Sequence, residues 1–178
     1  MNLQYKIIQS FILAIAASAA WSASAPSNPG LPGGASSLQE TYDDWTVACV
    51  VQAAGKTCAM QQEQHVQQSG QLVLAAELRP AGTGVGGTLV LPFGLALAKG
   101  ATVQIDEGAV SAPLAFSTCV PVGCVVPVSF DAKMLDGLRK GVAFKIKVVP
   151  DGGGDAAQFA VSLKGFSAAF DRVAALLK

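Results

Sequence analysis

Beyond Tyr42, apolar and polar side chains alternate with a period of two residues, and this pattern restricts the fold more than any other feature. In the clearest case, segment 142–148 reads VAFKIKV, with lysines between large apolar residues. A second alternating segment, 158–164, follows the glycine-rich sequence Asp151–Asp155. Because successive side chains of a strand point to opposite faces, both segments are predicted to be half-buried strands. The glycines between them favour a hairpin turn.

Six further segments have strand character, and glycine-rich turns separate several of them. They are 45–51, 58–64, 72–78, 88–97, 103–105 and 125–130. Seven or eight short strands at this spacing indicate an antiparallel β-sandwich. A parallel sheet is disfavoured because the chain offers almost no helix for the crossover connections that parallel strands require.

Two segments depart from the two-residue period and predict helices. Asp131 is a suitable N-cap for a short helix over 132–140, and Gly141 stops that helix. Ser167 is a suitable N-cap for a C-terminal helix, whose apolar residues recur at helical spacing: Phe166, Phe170, Val173 and Leu177. We interpret this stripe as a face packed on the sandwich; the alternative is a helix that binds a partner. The predicted fold class is therefore mainly β, with a short helix and a C-terminal helix.

Residues 1–25 have the pattern of a secretory signal peptide. Lys6 precedes an apolar run over 7–20, and small residues follow the run. The run is shorter than the roughly 20 residues that span a bilayer, so we expect a cleaved signal and no stable transmembrane span afterwards. An uncleaved anchor is the alternative. Cleavage after Ala25 competes with cleavage after Ala20, because Pro26 is a poor neighbour for a signal peptidase.

The segment that follows predicts a linker and then one domain. Residues 26–41 are rich in proline, glycine and serine, the composition of a flexible linker. Residues 42–178 have the usual size of a single domain, and we assign the β-sandwich to them. The full chain carries 12 basic and 12 acidic residues and a formal net charge of zero. No basic run interleaved with aromatic residues is present, which argues against nucleic-acid binding.

Four cysteines form two pairs that are close in sequence. Cys49 and Cys58 flank a predicted turn, and Cys119 and Cys124 bracket the sequence VPVG. Four cysteines allow three connectivities, but closeness favours Cys49–Cys58 and Cys119–Cys124, each stabilising the fold by roughly 2–3 kcal/mol. The spacings differ from structural zinc sites, and no C-x-x-C redox motif is present. We therefore expect structural disulfides, which agrees with export from the reducing cytosol.

Several short motifs occur in a fixed order along the chain. They are DWTVAC at 44–49, CAMQ at 58–61, LPFGL at 91–95, KG at 99–100, the loop from Cys119 to Gly123 and Cys124, and SLKGFSAA at 162–169. This ordered set, over 42–177, resembles the invasion associated locus B family. The resemblance implies an immunoglobulin-like β-sandwich in an exported bacterial protein of the periplasm or outer surface. The family name reflects a link to host-cell invasion, and the resemblance implies no biochemical activity.

Six residues of these motifs are assigned structural roles, namely Trp45, Pro92, Gly94, Gly123, Gly165 and Phe166. Trp45 is expected to pack in the core. Pro92 is expected to mark a strand edge or a bulge, where its missing N–H costs no ladder hydrogen bond. Gly94 would then relieve crowding at that bend.

Two sequence patterns resemble functional sites but favour simpler interpretations. Segment 82–87 fits G-x-G-x-x-G, yet a dinucleotide site needs a helix directly after the motif, and a strand-like segment follows here. We expect a hairpin or an inter-sheet loop. His65 is the single histidine and could serve as a catalytic base, or as a metal ligand with Met60 or Glu63. No G-x-S-x-G elbow accompanies it, so a solvated hairpin tip is favoured.

The remaining carboxylates also favour turns over sites. Asp106 and Glu107 are adjacent, and adjacent strand residues point to opposite faces, so a shared catalytic role is disfavoured. Asp151 to Asp155 could contribute to a calcium site, but a single glycine-rich turn without a repeat is weak support. We therefore expect no catalytic residue, no metal and no cofactor.

These observations lead to one functional hypothesis and one alternative. The hypothesis is a non-catalytic, exported module that binds an unknown envelope or host protein through strand edges or loops. The alternative is a periplasmic ligand or metal carrier, or an enzyme whose site is assembled from residues far apart in sequence.

Overall fold

The computed structural model describes residues 30–178, which form ten strands and two helices. The expected signal peptide at 1–25 lies outside these residues. The strands are β1 Ser37–Tyr42, β2 Trp45–Gln52, β3 Gly55–His65, β4 Leu72–Ala81, β5 Gly84–Leu91, β6 Ala101–Ile105, β7 Thr118–Val120, β8 Gly123–Phe130, β9 Ala143–Val148 and β10 Ala157–Ser162; the helices are α1 Ala132–Lys140 and α2 Phe166–Leu176.

The strands form two antiparallel sheets. The large sheet has seven strands in the order β1-β2-β3-β4-β5-β8-β7, and the small sheet has three strands in the order β10-β9-β6. Strands β1 to β5 are sequential neighbours joined by short turns, and the β7–β8 hairpin is added beside β5. The predicted hairpin of β9 and β10 is present. The predicted fold class, a mainly β antiparallel sandwich with a short helix and a C-terminal helix, is confirmed.

The core lies between the large sheet and a second layer built from the small sheet and both helices. Buried side chains from both sheets and both helices form one continuous apolar cluster. Phe130 of β8 meets Phe144 of β9 edge to face at 5.8 Å between ring centroids. Trp45 of β2 meets Phe166 of α2 in the same way at 5.5 Å. On the other face of the large sheet, the side chains of β2, β3 and β4 are half-buried or exposed.

Side chains from the large sheet close the free edge of β10. The indole Nε1 of Trp45 donates to the Ser162 carbonyl oxygen at 2.9 Å. The amide of Gln62 donates to the same oxygen at 3.1 Å and accepts from the Ser162 N–H at 2.9 Å. Gln64 donates to the Ala160 carbonyl oxygen at 2.6 Å. The Gln62 side chain thus takes the place of a neighbouring strand. These hydrogen bonds satisfy the buried amide of Gln62 and fix the two layers against each other.

The ordered structure begins earlier than the sequence indicated. Leu31 is buried in the core, and β1 pairs along its full length with β2. Leu31 and all of β1 except Tyr42 lie within 26–41, where a flexible linker was expected. The low apolar content of this segment hid the strand, because its inward side chains include Glu40, which pairs with Arg172 far along the chain.

Three local expectations require correction. Strand β5 spans Gly84–Leu91, not 88–97, because Pro92 has no N–H to continue the ladder; Pro92 therefore follows the strand and does not sit within it. Gly165, and not Ser167, is the N-cap of α2, and the Ser167 hydroxyl donates to the Arg139 carbonyl oxygen. Strand β7 was not predicted, since three residues are too few to show a period.

Candidate functional site

The two disulfides form as expected but differ in exposure. Cys49 and Cys58 face each other on β2 and β3, and both are buried in the core. Cys119 and Cys124 face each other on β7 and β8, where Cys124 is buried and Cys119 is exposed. Free cysteines are absent from residues 30–178, so this part of the chain holds no thiol nucleophile.

His65 lies at the exposed end of β3, as the sequence predicted. Its Nε2 lies 3.1 Å from Glu63 Oε2, and its Nδ1 lies 3.1 Å from the Gly70 carbonyl oxygen. The hydrogen bond with Glu63 raises the pKa of His65 above its ordinary value. Both ring nitrogens are therefore occupied by local contacts of the β3–β4 connection, and they orient no nucleophile among the described residues.

Asp106 and Glu107 have separate structural contacts. Asp106 adopts a left-handed backbone conformation, with φ of 48°, and its carboxylate accepts hydrogen bonds from the N–H groups of Val142 and Ala143. Glu107 pairs with Lys145 at 2.5 Å, and this contact lowers the pKa of Glu107. The two carboxylates point at different partners, so they do not form a paired acid–base site.

The glycine-rich motifs are turns. The motif over 82–87 supplies the two-residue turn between β4 and β5 and the first residues of β5, so no helix follows it. The Asp151–Asp155 loop is exposed. Within the described part of the chain, no three His, Cys, Asp or Glu side chains cluster in a way that could hold a metal ion.

The family-motif glycines are required by their backbone geometry. A Cβ atom on Gly165, whose φ is +85°, would lie 2.1 Å from the Tyr42 carbonyl oxygen. A Cβ atom on Gly123, whose φ is +154°, would lie 2.4 Å from the Leu91 carbonyl oxygen. Gly94 has a φ of +82° but open space around it, so its positive φ, and not crowding, explains the glycine there.

One end of the large sheet exposes apolar side chains that the sequence did not single out. Phe93 follows β5 and is 55% exposed, and Val122 lies in the β7–β8 turn and is 58% exposed. Leu91 and Cys124 form the last pair of the β5–β8 ladder, so Phe93 and Val122 each lie two residues along the chain from this end of the sheet. Val120, which pairs with Gly123 at the start of the same turn, is also exposed.

The same apolar character extends onto the outer face of the sheet. A row of directly paired residues crosses four strands there, and three of its members are apolar and half-buried: Ala75, Val90 and Val125. The fourth member is the exposed Thr118 of β7. We call the combined patch the apolar end surface; it consists of Ala75, Val90, Phe93, Val120, Val122 and Val125.

The sequence does carry a signal for this surface. No charged residue occurs between Glu107 and Asp131, a stretch of 23 residues in a chain that is 13% charged. That stretch contains β7, the β7–β8 turn and β8. The absence of charge is visible in the sequence, but only the sheet register shows that Val90 lies beside Val125 of this stretch.

A groove of about 440 Å³ lies between β6 and the first turn of α1. Its lining includes the apolar residues Ile105, Ala109 and Met134, together with Gly137, Asp131 and Lys133. The side chain of Asp131 already caps α1 by accepting from the Met134 N–H at 2.8 Å. The groove can therefore accept an apolar side chain, but its lining offers few polar groups to orient a substrate.

Fold and side-chain geometry together define the class of the protein. It is a two-layer antiparallel β domain with two local disulfides and an exposed apolar end, and residues 30–178 assemble neither a catalytic triad nor a metal cluster. No helix in the described range is long and apolar enough to span a membrane. A family model described as Invasion associated locus B (IalB) protein matches residues 45–174. The chain belongs to this family.

Individual relatives agree with the family model. An invasion protein B homolog of Brucella abortus (strain 2308) is 52% identical over 149 residues, which cover 83% of this chain and 86% of the relative. The invasion protein B of Bartonella bacilliformis is 38% identical over 159 residues, covering 88% and 85%. The crystal structure of invasion associated protein B from Bartonella henselae has a TM-score of 0.72 and 35% identity, covering 79% of this chain and 97% of that one.

Proposed function

We propose that this chain is an exported, non-catalytic protein of the bacterial envelope that binds an envelope or host protein through the apolar end surface. It would reside in the periplasm or on the outer surface. The observation that carries the proposal is the exposure of Phe93, Val120 and Val122 near the same end of the large sheet. Contiguous apolar patches on soluble domains mark interaction sites more often than isolated apolar residues do.

Other observations support export and a binding role. Both disulfides are formed, and disulfides persist in oxidising compartments outside the cytosol. The relatives from Brucella and Bartonella are named for invasion, which favours a host-directed role. The candidate acid–base side chains His65, Asp106 and Glu107 are engaged in local structural contacts, which favours binding over catalysis.

The test compares the two ends of the large sheet in living bacteria. A photo-crosslinking amino acid at position 93 or 122 is expected to capture a specific protein. The control is position 50, since Val50 is also exposed but pairs with Thr57 near the opposite end of the sheet. The double variant Phe93→Ser/Val122→Ser is expected to lose both the captured partner and complementation of a deletion strain, whereas Val50→Ser retains both. Equal loss in the control would contradict the proposed surface.

Two further measurements separate this proposal from an enzyme and from a cytosolic protein. His65→Ala and Glu107→Ala are expected to complement fully, because both side chains are exposed. A folded His65→Ala protein without function would favour the enzyme. Cell fractionation should recover the protein outside the cytosol with four blocked cysteines, and alkylatable thiols in that fraction would refute export in the oxidised form.

A further inference from the structure

Strand β7 is an open edge of the large sheet. It is the terminal strand on its side, and Thr118, Cys119 and Val120 are all exposed. The connection before it runs along β6, where Leu114 and Ala101 exchange hydrogen bonds. The chain therefore reaches the edge of the large sheet without covering it.

The main chain of Cys119 points outward from this edge. Cys119 lies directly opposite Cys124, and their Cα atoms are 3.9 Å apart. Such close spacing belongs to a non-hydrogen-bonded pair of an antiparallel ladder, in which the N–H and C=O groups of both residues point away from each other. The Thr118 hydroxyl approaches the Cys119 carbonyl oxygen at 3.5 Å. Within residues 30–178, no turn or loop hydrogen bond occupies the Cys119 N–H.

β7 is protected by its short length but not by charge or by proline, which occurs beside it. Edge strands are commonly blocked by charged side chains or by proline. Pro127 interrupts the part of β8 that extends beyond β7, where its ring has no N–H to offer. In contrast, β7 lies in the charge-free stretch between Glu107 and Asp131. The open part of this edge is thus restricted to three residues.

These three residues are complementary to themselves. If two copies meet antiparallel about a twofold axis at Cys119, each Cys119 N–H donates to the Cys119 carbonyl oxygen of the second copy. Thr118 then lies opposite Val120 of the second copy, and cross-strand pairs of β-branched residues are favourable. A charged partner would find no opposite charge to recognise, whereas two copies of a neutral edge do not repel each other.

We propose that β7 pairs with β7 of a second copy of this chain and joins the two large sheets into one continuous sheet of fourteen strands. The outer-face row through Val90 and Val125 then continues into the second copy. The two β7–β8 turns point in opposite directions about the twofold axis. A contact of three residues per copy is small compared with stable dimer interfaces, so the dimer is weak and concentration-dependent.

Sedimentation velocity on the purified, oxidised chain tests this pairing. From about 10 μM to about 1 mM, the weight-average mass should rise from monomer towards dimer. Val120→Lys places like charges close together across the twofold axis and is expected to raise the dissociation constant about tenfold or more. Thr118→Lys provides a second edge variant. The matched control is Gln39→Lys, which adds the same charge on exposed β1 at the other edge and should leave the dimer unchanged.

Hydrogen exchange of the Cys119 amide tests the proposed β7–β7 pairing directly. The Cys119 amide should exchange freely at low concentration and become protected at high concentration, while amides of β1 do not change. A chain that stays monomeric at about 1 mM would overturn the proposal. So would a dimer that Gln39→Lys disrupts equally, or one that leaves the Cys119 amide unprotected. The Cys119 amide could instead become protected only when an unrelated protein is added, while the chain stays monomeric. That result would assign the edge to the unrelated protein and refute self-pairing.

The outcome is independent of the proposed function. Phe93→Ser/Val122→Ser should dimerise normally, because neither residue belongs to β7. Val120 belongs to both surfaces, so Thr118→Lys is the edge variant that separates them. Loss of partner capture with intact dimerisation would concern only the apolar end surface, and loss of dimerisation with intact capture in Thr118→Lys would concern only β7.

Discussion

Strands β1 and β7 are the two terminal strands of the large sheet, and the chain completes each edge differently. β1 has six residues, and its inward-facing Glu40 accepts two hydrogen bonds from Arg172 of α2 at 2.7 Å each. Tyr42 of β1 donates to the same carboxylate. β7 has three uncharged residues, and a disulfide to β8 holds it. β1 is thus fixed by contacts with residues far away in sequence, whereas β7 is fixed by a disulfide between residues five positions apart.

This difference suggests that β1 contributes to the stability of the fold and that β7 is available for binding. An edge that packs against α2 is coupled to the core, so damage to it should lower the global free energy of unfolding. An edge fixed only to its neighbour can change locally and stay available to a partner. The two edges can therefore be perturbed in matched pairs.

The largest expected effect comes from the glycine at each edge. Gly165→Ala should lower the free energy of unfolding by about 3 kcal/mol or more, because the new Cβ would lie 2.1 Å from the Tyr42 carbonyl oxygen at a φ of +85°. Gly123→Ala should cost less, about 2 kcal/mol, since the β7–β8 turn can move away from Leu91. Gly152→Ala, which has open space around it, is the control. Urea unfolding measures all three, and the reverse order would contradict the comparison.

The disulfides give the next effect. Replacing Cys49 and Cys58 by alanine should cost about 3 kcal/mol, and replacing Cys119 and Cys124 about 2 kcal/mol, because the second loop is shorter. The accessibility of the sulfurs sharpens the contrast. Since Cys119 is exposed and both members of the first pair are buried, increasing reductant should open Cys119–Cys124 first. Alkylation followed by mass spectrometry reads the order, and earlier opening of Cys49–Cys58 would refute it.

The smallest effect concerns the ion pair that protects β1. Glu40→Gln should lower the free energy of unfolding by about 1–2 kcal/mol at neutral pH, because the charge-assisted hydrogen bonds to Arg172 are weakened. The Arg172 hydrogen bond lowers the pKa of Glu40 below its ordinary value. The stabilisation is therefore present above the unfolded-state pKa and is lost as the pH falls through the lower native pKa.

Unfolding measured between pH 7 and pH 2 tests this assignment. The difference between the original chain and Glu40→Gln should shrink as the pH falls. Glu63→Gln serves as the matched control, since Glu63 is exposed on β3 and its neutralisation should change stability little. A difference that persists in acid would show that the ion pair is not its cause.

The elements that the sequence predicted well are those that local chemistry determines. Segment 142–148 shows its two-residue period directly, and it became β9. Asp131 caps α1 through its own side chain, and each disulfide joins directly opposed residues of neighbouring strands. The capping residue of α2 was misassigned because Gly165 acts through its left-handed backbone and its close approach to Tyr42. A nearby serine gives the stronger sequence signal.

The elements that the sequence missed depend on distant partners. In β1, one of the inward-facing positions is occupied by Glu40. A glutamate can take such a position because it pairs with Arg172, which lies 132 residues further along the chain. The sequence placed Gln62 in a predicted strand but indicated no role for its side chain, whose amide replaces a strand at the edge of β10. The apolar end surface combines residues of β4, β5, β7 and β8, and only the sheet register shows that Ala75, Val90 and Val125 lie side by side.

The ordered motifs of the chain were enough to indicate the family by resemblance. The antiparallel class, the two helices and the disulfide pairing could also be predicted from the sequence, because periodicity, capping and proximity act over a few residues. Tertiary structure alone decided where the ordered domain begins, how β10 is closed and which surfaces stay open. Those properties depend on burial and on hydrogen bonds between residues about a hundred positions apart. They also decide the difference between the two edges, since an ion pair with α2 covers one and no described element covers the other.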